Sequence, residues 1–111
     1  MAETFNNQST RLNSTSNTTV YQAPNASGNR AIVLSCLVAN VDGSSADPIT
    51  IYITDSSNNL QSYLAYTIAV PPDASIEIIP NKVVLTQGQR LRATAGTAND
   101  LDVTVSVLEI T

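Results

Sequence analysis

Histidine and tryptophan are absent from this 111-residue chain, and cysteine and lysine each occur once. Without histidine there is no side chain that ordinarily titrates near neutral pH, and the commonest catalytic base and transition-metal ligand are both missing. Ordinary zinc, haem and Ser-His-Asp chemistry are thereby excluded, and no cofactor is expected. A Ser–Lys pair would be the remaining base-activated nucleophile, but Lys82 stands in no Ser-x-x-Lys spacing. The lone Cys36 cannot form an internal disulfide, and its apolar surroundings, Ala31–Ala39, point to a packed, inert thiol. Charge is scarce as well: 13% of residues are charged and the net charge is −4, which argues against a nucleic-acid partner, since phosphate binding needs a positive surface. No apolar run approaches the roughly 18 residues of a membrane span. The first 17 residues carry neither a basic n-region nor an apolar h-region, so neither a membrane partner nor an export signal is expected.

What is present is polar and uncharged. Ser, Thr and Asn make up roughly a third of the chain, a composition suited to surfaces that stack on neighbours with few ions to desolvate. The length fits one domain with a modest core. Residues 1–17 read as an extended N-terminal arm with only Phe5 and Leu12 as apolar anchors, ordered by adding to a sheet edge of its own domain or of a neighbouring subunit. The sequons at Asn7, Asn13, Asn17 and Asn25 are read as chance products of this composition.

From residue 18 to 111, short β-prone runs alternate with turn chemistry and no helical stripe emerges. Strands are expected at Thr18–Gln22, Arg30–Asn40, Pro48–Asp55, Ser62–Val70, Ser75–Ile79, Lys82–Leu85, Gln89–Thr94 and Leu101–Ile110, with Pro80-Asn81 as a break. Strict alternation over Arg30–Asn40 places Ile32, Leu34, Cys36 and Val38 on one face, and Ala31, Val33, Ser35, Leu37 and Ala39 on the other. Both faces are apolar, so the strand should be covered on both sides or lie at an interface. Thr86-Gln87-Gly88 reads as a hairpin loop with Gly88 at positive φ. The whole is expected to be an all-β, single-domain antiparallel β-sandwich, jelly-roll-like in architecture.

Few constellations could carry chemistry. Asp42, Asp47 and Asp55 surround one loop without EF-hand spacing, and Asp-Gly and Asp-Pro are ordinary turn dipeptides. Arg90 and Arg92 share a strand face. They suit either an anion or, preferably, a cross-strand or intersubunit pair with Asp100, Asp102 or Glu109. Tyr52, Tyr63 and Tyr66 would make a sugar-stacking platform, but strict alternation sends Tyr63 and Tyr66 to opposite faces.

In the second half, Val70-Pro71 is followed by Val83-Val84-Leu85, Gly88, Leu91-Arg92-Ala93 and Ala95, and the chain ends with Ser106-Val107-Leu108-Glu109-Ile110. This pattern, V-V-L-x-x-G-x-x-L-R-A-x-A and then S-x-L-E-I, resembles small virion structural proteins of tailed bacteriophages, including phages of marine bacteria and cyanobacteria. It spans somewhat under half the chain. The resemblance implies a non-enzymatic, multi-copy subunit located in the virion, associating with itself and with other virion proteins of the capsid, neck or tail. Leu12, Arg11, Val33, Leu37, Arg90 and Arg92 are the candidate interface residues. The alternative is a secreted or surface carbohydrate-binding module.

Overall fold

A computed structural model describes residues 2–79 and 81–111, so the part of the expected break that falls on Pro80, and Met1 of the expected arm, lie outside the described residues. The described residues form nine strands and no helix: β1 (Glu3–Arg11), β2 (Thr18–Gln22), β3 (Arg30–Asn40), β4 (Asp47–Thr54), β5 (Leu60–Val70), β6 (Ser75–Glu77), β7 (Val83–Thr86), β8 (Arg90–Ala95) and β9 (Leu101–Ile110). All pairings are antiparallel. One sheet runs β1-β9-β3, with β6 and β7 both on the far side of β3, and the other runs β2-β8-β4-β5. β6 pairs with Leu37–Ala39 and β7 with Arg30–Val33. The two are therefore successive pieces of one interrupted edge strand. Counted so, eight strands divide into two four-stranded sheets in the double Greek-key order of a jelly roll. The expected antiparallel sandwich is what the chain forms.

The core lies between the sheets. Val20, Ile49, Ile51, Leu85, Leu91, Val103 and Val105 are completely buried, and each such side chain contributes about 1.5–3 kcal/mol relative to exposure. In β9 the expected alternation holds, with Leu101, Val103, Val105 and Val107 inward. Tyr21 ties the sheets together by donating its hydroxyl to Glu109 Oε2 at 2.6 Å, and burial together with that carboxylate raises its pKa. The buried Asn40 satisfies itself, donating to Ser45 O and Val70 O and accepting from the Asp42 amide. It thus fixes the loop between β3 and β4 against the end of β5.

Three expectations need correction. The turn at Thr86-Gln87-Gly88 is not a hairpin loop, because β7 belongs to the β3 sheet and β8 to the β4 sheet; it is an arch between layers. Gly88 does take positive φ, +70°, and a Cβ there would lie 2.2 Å from Asn25 Oδ1. Second, the faces of β3 exchange midway. Val33 faces Val107 and Ser35 faces Ser106, so Leu34 is an extra residue. This bulge turns Ala31 and Val33 inward before it, and Cys36 and Val38 inward after it. Third, β5 bulges repeatedly against β4, where Tyr52 faces Tyr63, Ile51 faces Ala65 and Ile49 faces Ile68. Leu64 is the extra residue in the first of these steps. It shifts the parity so that Tyr63 and Tyr66 emerge on the same outer face.

Candidate functional site

β1 is the outermost strand of its sheet, and eight of its nine residues are exposed. It pairs with β9 at every position from Glu3–Ile110 to Arg11–Asp102 without a register shift. At its end, Arg11 grips Asp102 with two bonds, Nε to Oδ1 at 2.6 Å and Nη2 to Oδ2 at 2.9 Å. That guanidinium holds the Asp102 carboxyl below the usual carboxylate range. An antiparallel edge strand directs alternate N–H and C=O groups away from its one neighbour. Natural edges are commonly blunted by lysine, proline, a bulge or shortness. β1 is long and straight in register and contains neither lysine nor proline.

The outer face of this sheet carries an apolar row. Phe5 faces Leu108, Leu108 faces Ile32 and Ile32 faces Val84, across four strands. Their neighbours Ala31, Val33, Val107 and Leu85 are buried, so the row points away from the core. Phe5 is 75% exposed and Val84 54%.

On the opposite sheet, the outer faces of β4, β5 and β8 frame a depression of about 430 Å³. Tyr52, Tyr63 and Tyr66 form one wall. The Tyr52 and Tyr63 rings are 5.8 Å apart and tilted by 57°, and Tyr63 meets Tyr66 edge to face at 4.9 Å and 77°. Tyr63 and Tyr66 keep half or more of their surface open to solvent. The rest of the rim is amide, hydroxyl and guanidinium together with the exposed side chain of Leu60, and no carboxylate lines it. Thr94 Oγ1 donates to Asn17 Oδ1 at 2.6 Å, Arg92 Nη2 to Asn17 O at 3.0 Å, and Arg90 Nη1 to Asn58 Oδ1 at 2.7 Å. The Nε groups of Arg90 and Arg92 are buried with no partner among the described residues. Thr67, immediately after Tyr66, holds φ +48° and donates its amide to Thr50 Oγ1 at 3.0 Å.

No family model matches the chain, and no curated protein matches it. Among solved structures it is similar to a pentameric capsid protein isolated from metagenomic phage sequences, with 20% identity and a TM-score of 0.47. That alignment covers 93% of this chain and 60% of the other, so this chain spans less than two thirds of the neighbour's length.

The six residues singled out from the sequence do not form one site. Leu12 is 1% exposed within the domain's own core, its amide donating to Leu101 O at 3.0 Å. Val33 is also fully buried, whereas Leu37, beyond the Leu34 bulge, is 40% exposed on the outer face of β3. Arg11 sits at the end of β1. Arg90 and Arg92 meet neutral oxygens and not the expected Asp100, Asp102 or Glu109, because β8 lies in the opposite sheet from β9 and, with Leu91 and Ala93 inward, turns both arginines to that sheet's outer face. Asp42 and Asp55 serve their own turns, Asp42 accepting from Ser44 and Asp55 from Ser57 and Asn59, whereas Asp47 ties in the β8–β9 loop by accepting from the Thr97 amide. Among the described residues no cluster of three metal-ligating side chains forms. Cys36 is buried, and burial with the nearby Glu77 carboxylate pushes its thiol up to about 12. Strict alternation missed the tyrosine cluster, and the only signal for it in the sequence was the concentration of three of the four tyrosines within residues 52–66.

Proposed function

We propose that this chain is a non-enzymatic structural subunit of a bacteriophage virion, of the tailed-phage kind that its second half resembles. It is present in many copies and bound to a second copy of itself and to further proteins of the capsid, neck or tail. The phage assignment rests on the motif from Val83 to Ala95 and the ending Ser106–Ile110. The observation that carries self-association is the unguarded edge of β1. A second copy is the occupant that this edge fits by charge. If two β1 strands pair antiparallel about a two-fold axis at Asn7, Glu3 of each copy lies opposite Arg11 of the other, Thr4 opposite Thr10, and Asn7 opposite itself. The adjoining Phe5 row then extends from one subunit toward the next.

Cross-linking tests the arrangement directly. Residues facing each other across an antiparallel pair have Cα atoms about 4.5–5.5 Å apart, within the span of a disulfide. Asn7→Cys should therefore give covalent dimers under mild oxidation. Thr10→Cys should not, and Asn7→Lys, which sets like charges face to face, should sediment as a folded monomer. Equal cross-linking at both positions, or undisturbed association of Asn7→Lys, would refute the β1 contact. Absence of the protein from purified particles of the phage that encodes it would refute the virion assignment.

A further inference from the structure

We propose that the depression walled by Tyr52, Tyr63 and Tyr66 binds a pyranose ring of a glycan. The site is separate from the β1 edge and does not depend on the self-association proposed above. A pyranose presents a face of C–H bonds and a rim of hydroxyls. Its C–H face is attracted to the electron-rich face of an aromatic ring. Its rim seeks amide, hydroxyl and guanidinium groups. The depression supplies both: exposed tyrosine rings on one wall, and Asn58, Thr94 and Arg92 across from them. Its volume of about 430 Å³ lies within the usual range of small-ligand sites.

The local backbone supports a ligand more than a chance surface. Two departures from regular strand geometry occur at the cluster. The extra residue Leu64 brings Tyr63 and Tyr66 to one face, and Thr67 then holds a left-handed backbone that a β-branched residue rarely adopts. Bulges that re-aim side chains and strained residues of this kind concentrate at ligand sites. The charge pattern points the same way. Across the whole chain acids outnumber bases 9 to 5, yet the depression contains Arg92 and no acid. This excludes a cationic ligand and admits a neutral sugar or one bearing a carboxylate. The 77° angle between Tyr63 and Tyr66 makes a corner and not a flat shelf, so one ring stacks on the sugar while its neighbour borders it.

Ligand-observed saturation-transfer NMR on the full chain tests the site, with cellotetraose, mannotetraose, N-acetylchitotetraose and tetragalacturonate as probes. The first three are neutral and the last is acidic, so the panel separates the two classes of sugar. Transfer to the C–H protons of at least one probe is expected, with Tyr66→Ala weakening binding at least about tenfold. Tyr63→Phe, which keeps the ring, should bind nearly as the parent does. Both positions are exposed, and circular dichroism confirms that each variant is folded. Three results would overturn the proposal: no transfer to any probe at millimolar sugar, binding unchanged in both Tyr66→Ala and Tyr63→Ala, or loss of self-association in Tyr66→Ala without sugar binding by the parent. The last would make the cluster a contact between proteins.

Discussion

Thr67 is β-branched, yet it holds φ at +48°, a conformation in which its Cβ crowds the backbone. Its amide hydrogen bond to Thr50 survives loss of the side chain, so glycine can occupy the position without changing the turn. Relief of strain outweighs the greater freedom that glycine gives the unfolded chain, and Thr67→Gly should stabilise the fold by about 1 kcal/mol in urea unfolding. A destabilised Thr67→Gly would mean that the turn is not strained. Arg11 and Asp102 make the other residue-scale test. The Asp102 pKa is lowered in the folded protein, first by the Arg11 hydrogen bond. Its contribution to stability is therefore present above the ordinary aspartate value of about 3.9 and is lost as pH falls through the folded value. Arg11→Gln should return the Asp102 titration, followed by carboxyl-carbon NMR, toward the ordinary range. Asp47 acts in the opposite sense: burial raises its pKa, so the cost of its charge is felt above the folded value and relieved as pH falls.

At the scale of elements, β3 holds the clearest contrast. Val33 and Leu37 are four residues apart in one strand, and strict alternation assigns them the same face. The Leu34 bulge puts Val33 in the core and Leu37 at the surface. Val33→Asp buries an unpaired charge and should cost about 4 kcal/mol or more, enough to unfold a domain of this size. Leu37→Asp should leave the circular dichroism spectrum and the melting temperature nearly unchanged. If both unfold, the bulge is misplaced. The strands were legible because their β-branched residues lie between Pro, Gly, Asn and Asp turns. The limits of β2, β3 and β9 follow from sequence alone. The bulges were not legible, because nothing in the apolar run IVLSCL marks which residue is extra; the opposing strand decides it. The arch at Gly88 was hidden for a related reason: a turn residue signals positive φ but not whether the next strand pairs with the last or crosses to the other sheet. For the arm, the text allowed either its own domain or a neighbour as host. In the fold β1 lies on the chain's own β9, and Leu12 fills the chain's own core.

For the whole molecule, the jelly-roll order decides how two surfaces can coexist. β1 is an edge of one sheet, and the tyrosine depression lies on the outer face of the other, with the hydrophobic core between them. This topology accommodates capsid and lectin domains alike and does not by itself choose between them. The separation does allow a subunit to be held at one surface while presenting the other. The proposed pairing through β1 would leave the tyrosine face uncovered, and the resulting dimer would display two weak sugar sites, whose combined hold exceeds that of either one. Residues this far apart, with no shared partner, should act additively. The variant carrying Asn7→Lys and Tyr66→Ala together should therefore lose self-association as the first change alone does, and per-site sugar binding as the second alone does. Retention on a sugar-coated surface distinguishes the contributions further: Asn7→Lys keeps the single-site affinity but washes off faster than the assembled parent. An altered single-site affinity in Asn7→Lys would mean that the two surfaces are coupled through the core, or that a neighbouring copy completes the depression.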